Sequence, residues 1–251
     1  MATRAQILQE LNLAPVWRRR ERRVVAPPDA FSASDAAEVA PVPSSRIVLA
    51  LDPGARRARI EGLEWEAFAG DVEACTACGL CRTRNRSVPG VGDTRAEWMF
   101  IGEAPGAEED ARGEPFVGQA GRLLDNMLAA VGISRQKNVY IANVLKCRPP
   151  GNRTPEPAEA ETCRPYLERQ IALVGPRLLI ALGKSAASLL LGTDASIASL
   201  RGRVHRYQGR PLIVTYHPAY LLRSLPEKAK AWEDLVLARR TLATLKAGGN
   251  P

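Results

Sequence analysis

The 251-residue sequence holds only two histidines, His205 and His217, so any imidazole chemistry has two candidates. No stretch approaches the 18 or more apolar residues of a membrane-spanning helix, which excludes a bitopic or polytopic helical membrane protein. The N-terminus lacks a basic segment followed by an apolar one; Arg4, Gln6, Gln9 and Glu10 interrupt its apolar positions, so a cytoplasmic location is expected. A GxxxxGK[ST] run is missing too, which argues against nucleoside triphosphate chemistry. Cysteine is scarce at five residues, and that makes its placement informative.

Four of the five cysteines form two pairs, Cys75-x-x-Cys78 and Cys147-x15-Cys163. Thiolates are soft ligands, and four of them select zinc or an iron–sulfur cluster. The gap in the first pair lets both sulfurs reach one metal centre from a tight turn, whereas the second pair is too wide for a zinc knuckle. The second pair brackets Arg148, Pro149, Pro150, Asn152 and Arg153, a basic and Pro-stiffened loop of the kind that suits a nucleic-acid surface. Cys81 is a fifth thiol that a four-thiolate centre leaves over. Buried structural thiols are the alternative, but paired spacing without a secretion signal favours metal.

The net charge of +8 is unevenly spread. Residues 1–70 carry 10 Arg, no Lys and 9 acidic residues, while residues 71–251 carry 25 basic and 18 acidic ones. The excess therefore falls on the second segment, where a phosphate-tracking surface would use it. Residues 5–12 read as a short helix and 25–45 as a disordered Ala/Pro/Ser-rich linker. Between them, Leu11–Arg23 reads either as a docking peptide for a protein partner, anchored by Trp17, or as a loosely packed extension. This sets an extension at 1–60 against a folded domain at 61–251.

In that domain, Leu63, Trp65, Phe68 and Val72 recur at helical spacing and deliver the first cysteine pair. Apolar β-like runs follow at Trp98–Gly102, Val139–Val144, Leu178–Leu182 and Leu212–Tyr216. Helical patterns separate or follow them at Gly121–Val131, Glu156–Val174, Ser185–Leu191 and Lys228–Leu245. The alternation predicts an α/β fold, a three-layer α/β/α sandwich around a central four-stranded, mainly parallel sheet. Ligands in such sheets bind outside the carboxyl ends of the strands. There the sequence places Glu103, Asn143 and His217, each of which also has a purely structural reading as cap or turn residue. GEAPG (Gly102–Gly106) permits close backbone approach to a flat ligand.

The segments GEAPGAEEDARGEPFVGQAGRLL, VYIANVLKCRPPGNRTP and TYHPAYLLR together resemble the iron–sulfur, family 4 uracil-DNA glycosylases. The resemblance runs from about Glu73 to Leu242 and includes every strand end named above. It implies a [4Fe–4S] cluster on Cys75, Cys78, Cys147 and Cys163, and a uracil pocket lined by Glu103, Ala104 and Pro105. It further implies that Phe116 stacks on the flipped base, Asn143 pairs with the uracil edge and His217 addresses O2. Glu109 and Asn152 match polar residues that support catalysis. An amide that donates to O4 and accepts from N3–H cannot match cytosine's reversed edge. Glu103 would position or deprotonate the attacking water, with Glu109 as a second carboxylate. The cluster would be structural, since the reaction moves no electrons.

Some members of the superfamily bond covalently to DNA through a histidine in a KRRIH loop. The corresponding KCRPPGNRTP has none, so turnover is expected. Arg148, Arg153, Arg201, Arg203 and Arg223 are candidate phosphate contacts, and Leu221 or Leu222 a candidate wedge. The expected partner is uracil-containing DNA, single- or double-stranded, met by a monomer. Two alternatives stay open: a glycosylase for hypoxanthine or xanthine, and a non-catalytic, zinc-containing DNA-binding protein.

Overall fold

The computed structural model describes residues 53–249. The helix at 5–12, the docking segment at 11–23 and the linker at 25–45 lie outside them. Six strands form one sheet: β1 (Val91–Gly92), β2 (Trp98–Gly102), β3 (Val139–Asn143), β4 (Leu178–Leu182), β5 (Val204–Tyr207) and β6 (Arg210–Thr215), in the order β1-β3-β2-β4-β6-β5. The four strands expected from apolar runs are the parallel centre, β3-β2-β4-β6. The other two are antiparallel edges, so the sheet is wider than the four strands read from sequence. β1 is too short to show a pattern. β5 is half-exposed VHRY, joined to β6 by a Gln208-Gly209 turn.

The helices are α1 (Pro53–Glu61), α2 (Trp65–Ala74), α3 (Ala107–Arg112), α4 (Gln119–Ala130), α5 (Pro157–Val174), α6 (Lys184–Leu191), α7 (Ile197–Leu200), α8 (Pro218–Leu221) and α9 (Glu227–Lys246). The four central strands are buried almost throughout, and successive residues point to opposite layers. Met99, Ile101, Leu179, Ala181, Leu212 and Val214 meet α5, α6 and α7. Trp98, Phe100, Ile141, Ile180 and Ile213 meet α4 and α9. The three-layer expectation holds on both faces.

Glu61 is not where the folded part begins. It is the last residue of helix α1, which packs on α5 with Ile60 fully buried beside Phe68, Val72 and Tyr166. Helix α5 starts at Pro157, pre-set for the first helical position, behind a Glu156–Glu159 capping box. From β2 the chain passes to β3 on one side, then crosses to β4 on the other. That reversal opens a crevice at the carboxyl end of β2.

Arg201, a candidate phosphate contact, is committed internally. Its guanidinium meets Asp234 of α9 at 3.1 Å, and the Gly202 N–H reaches the same carboxylate. The Asp234 side chain is wholly buried. Arg201→Met is therefore expected to lower the unfolding free energy by about 3 kcal/mol, the usual consequence of stranding a buried charge, measured by urea denaturation.

Candidate active site

The crevice is a cleft of about 480 Å³, the size of a small-molecule or single-base site. Glu103, Ala104, Pro105, Glu109, Phe116, Asn143, Asn152 and His217 all line it, so the residues singled out in the sequence meet in one place. Strand register explains part of this. Gly102 ends β2 directly opposite Asn143, which ends β3. A Cβ on Gly102 would collide with Asn143 Oδ1 and come within 2.8 Å of Phe116 Cζ. The missing side chain is the space that the amide and the ring share. Asn143 is 2 % exposed, and its Oδ1 has no hydrogen-bond partner. An orphaned buried acceptor is costly unless a ligand's donor satisfies it.

Phe116 sits at φ +55°, a left-handed conformation that strains a bulky residue. Arg135 holds it there. Its guanidinium donates to the Pro115 and Phe116 carbonyls, both at 2.7 Å, and pairs with Asp125. Nothing in the sequence around Arg135 signals this role, because the partners come from a loop some twenty residues away. The Phe116 ring lies 5.5 Å from that of His217, the two planes tilted by 31°.

His217 follows β6 and caps α8, its Nδ1 accepting the Ala219 N–H at 3.1 Å. A nitrogen that accepts carries no proton, so the neutral ring bears its hydrogen on Nε2. Burial pushes the imidazole pKa down to about 4, with Glu109 pulling the other way and Arg223 reinforcing the fall. His217 is thus a neutral N–H donor near pH 7. Gly183, at φ +93°, lets the β4–α6 turn pass beside it; a Cβ there would stand 2.9 Å from His217 Cβ.

The two carboxylates differ. Glu109 Oε1 accepts the Val117 and Gly118 N–H groups at 2.9 and 3.2 Å, and Oε2 that of Gly106 at 3.1 Å. It fastens the GEAPG loop to the PFVG loop. Among the described residues the Glu103 carboxylate makes no side-chain hydrogen bond, and Glu103 is half-buried at the rim. Asn152, also left-handed at φ +56°, accepts from Arg148 Nε at 2.7 Å.

The remaining arginines divide in the same way. Arg153 lines the cleft but is forked onto Glu159 at 2.6 and 2.9 Å, tying the loop to α5. Arg203 and Arg223 are exposed, and Arg223 reaches the cleft. Leu221 is buried at 1 %, which removes it as a wedge, whereas Leu222 is 40 % and Leu225 61 % exposed. The other histidine, His205 on β5, places Nε2 2.6 Å from the Leu200 carbonyl of α7 and is not among the cleft residues.

All five cysteines line a second, small cavity of about 20 Å³ between α1, α2, α5 and the 145–149 loop. Among the described residues, no three His, Cys, Asp or Glu side chains are set to hold a single metal ion. Burial pushes the Cys163 thiol up to about 12. At Cys75 burial also raises the pKa, but the Ala77 N–H, Tyr166 and Arg56 outweigh it and the net shift is downward. Arg56, Arg84 and the buried Lys146 stand around the sulfurs. A ring of soft donors among cations fits a thiolate-held metal centre. Lys146 Nζ donates to the Asn143 carbonyl at 2.6 Å and to Gln170, which links this cavity to the cleft.

The uracil DNA glycosylase superfamily model matches residues 89–236. A type-4 uracil-DNA glycosylase of Archaeoglobus fulgidus is 44 % identical over 160 residues, covering 61 % of this chain and 80 % of that protein. Its counterpart in Thermotoga maritima is 46 % identical over 161 residues, 63 % of this chain and 83 % of the relative. A type-5 uracil-DNA glycosylase of Thermus thermophilus is 32 % identical over 194 residues, 62 % of this chain and 87 % of that protein. Cleft, fold and sequence agree: the chain belongs to the uracil-DNA glycosylase superfamily, on its type-4 branch.

Proposed function

We propose that this protein excises uracil from DNA by hydrolysing the N-glycosidic bond, leaving an abasic site for base excision repair. One observation carries this: a buried Asn143 Oδ1 without a partner, beside an aromatic face and a neutral N–H donor in a base-sized cleft. A glycosylase must take its target out of the stack and read it in a pocket. The flipped uracil lies against Phe116, its N3–H satisfying Asn143 Oδ1 and its O4 accepting from the amide nitrogen. Cytosine has no N3–H to give, and leaves the orphan unpaired.

As the bond breaks, negative charge builds on uracil and positive charge on the sugar. His217 Nε2–H donates to O2 and stabilises the leaving anion without first needing a proton, as an oxyanion-hole group does. Glu103, free of other ties, orients the water and faces the sugar cation. Glu109 and Asn152 hold the loops that carry the cleft wall. No lysine nucleophile is called on, so the enzyme is monofunctional. Leu222 fills the gap left by the flipped base in duplex DNA, and Arg223 and Arg203 contact phosphates. The non-catalytic reading leaves the Asn143 orphan without a purpose.

Cys75, Cys78, Cys147 and Cys163 hold a [4Fe–4S] cluster in this proposal, with Cys81 over. Three cations at the cavity supply the countercharge that four thiolates require. The cluster supplies structure rather than electrons. No described helix is long and apolar enough to cross a membrane, and the proposed setting is the cytoplasm, with the enzyme acting as a monomer.

The test is single-turnover release of uracil from a labelled oligonucleotide, read by alkaline cleavage at the abasic site. Asn143→Ala and His217→Ala should each slow it by about 10²–10³-fold, the scale of one preorganised hydrogen-bonding group. Undiminished excision by Asn143→Ala would refute the pocket. Leu222→Ala should slow excision from duplex substrate more than from single strands; equal losses would exclude a wedge.

The His217 assignment has a pH signature. Above an unfolded pKa of about 6.5 the ring is neutral in both states. Between there and a folded value of about 4 only the unfolded chain takes the proton, so stability is lost as pH falls through that window and levels off below it. Wild type should show this loss relative to His217→Gln. Nitrogen-15 NMR should show a neutral Nε2–H tautomer from pH 8 to about 5; an imidazole titrating near 6.5 would contradict the assignment.

A further inference from the structure

Two arginines bond to sulfurs of the thiol cavity, and each does two things at once. Arg84, just past the first cysteine pair, donates through Nη1 to Cys147 Sγ at 2.9 Å and through Nη2 to the Glu73 carbonyl in the last turn of α2. Arg56, on α1, donates through Nη2 to Cys75 Sγ at 3.6 Å and through Nη1 to the Thr162 carbonyl at 2.8 Å, one residue before Cys163. Each guanidinium thus bonds a sulfur of one cysteine pair and the backbone that carries the other. Arg56 also lies 5.2 Å over the Tyr166 ring, which fixes its plane. Neither contact is predictable from spacing, and both arginines lie outside the segment matched by the superfamily model.

We infer that Arg56 and Arg84 are positioning residues that strap the two cysteine pairs together and neutralise the thiolate ligands of the metal centre, so setting how firmly it is retained. The inference rests on the cluster proposed above. Four thiolates on a [4Fe–4S]²⁺ core leave a net double negative charge, toward which the two guanidiniums, together with the buried Lys146, supply positive charge. A planar fork that donates along two directions can bond sulfur and carbonyl together; an ammonium is a single point charge and cannot reproduce that geometry. Outer-shell donors of this kind typically change metal affinity by about 10–100-fold.

The experiment uses the full-length protein purified anaerobically, with iron and sulfide content measured first. Release of iron to a ferrous chelator is then followed by loss of visible absorbance, and the one-electron potential is titrated with dithionite. Arg84→Met and Arg56→Met should each release iron roughly 10–100-fold faster than wild type and become harder to reduce, because a positive charge beside the cluster has gone. Arg57→Met is the control for α1: Arg57 pairs with Glu61 and Glu168 rather than with sulfur, and should behave as wild type. Should Arg84→Met fail to fold, Arg84→Lys keeps the cation but not the fork, and must still release iron faster than wild type. Wild-type release and potential in both Met variants, or wild-type release in Arg84→Lys, would overturn the straps while leaving the cluster standing. A wild-type protein without iron and sulfide would instead overturn the cluster, and the straps with it.

Discussion

The cleft depends on one close approach. Gly102 and Asn143 end adjacent parallel strands in register, and the absence of a side chain on Gly102 lets the Asn143 amide and the Phe116 ring crowd into the same small volume. The amide edge of Asn143 and the face of Phe116 are thereby set beside one another by the end of the sheet. The Phe116 backbone is strained to meet them, at a cost of order 1–3 kcal/mol. Arg135 offsets that cost with two charge-assisted bonds to the flanking carbonyls, backed by Asp125. The position of the ring is therefore a property of the buried Arg135 guanidinium as much as of the aromatic residue.

Charge in the cleft is apportioned by what each group is already bonded to. Glu109 has its oxygens filled by three backbone N–H groups, whereas among the described residues the Glu103 carboxylate accepts no such bond. His217 is held neutral by burial and given one tautomer by a single backbone bond at Nδ1. A donor prepared in this way costs no reorganisation when charge develops on a leaving base, which is the condition for large electrostatic catalysis. The arginines follow the same logic: Arg153 and Arg201 are consumed by Glu159 and Asp234, leaving Arg203 and Arg223 for a polyanion.

Strand ends and cysteine pairs were legible in the sequence because both are local: a run of apolar residues stops at a polar one, or two thiols stand a turn apart. The sequence alone assigns Glu103, Asn143 and His217 to one rim, since parallel sheets gather their carboxyl ends. The edge strands were not legible, as two residues give no alternation and VHRY is half-exposed. Helix α1 is not legible because PGARRARIE has a single large apolar residue, Ile60, among four charged ones, and so shows no apolar periodicity. Roles that depend on distant partners left no local trace: Arg135 on the Phe116 loop, Glu109 as strut, Arg56 and Arg84 on the sulfurs. Leu221 and Leu222 are chemically alike, and only the packing of α8 separates the buried one from the exposed one.

Cys147 and Asn152 are five residues apart, and the loop between them belongs to both cavities: Cys147 faces the sulfurs, while Pro149, Asn152 and Arg153 face the cleft. Lys146 begins this loop, fully buried, bonded to the Asn143 carbonyl and to a Gln170 that also holds Tyr140 and Pro89. A buried ammonium whose hydrogen-bond partners are all neutral is expensive. Thiolates in the adjoining cavity would provide the missing countercharge. On that argument the proposed cluster does more than staple two distant chain segments: it stabilises the cation that fixes the end of β3. Asn143, proposed to read the base, would then be positioned from behind by the proposed metal centre, without any electron having to move.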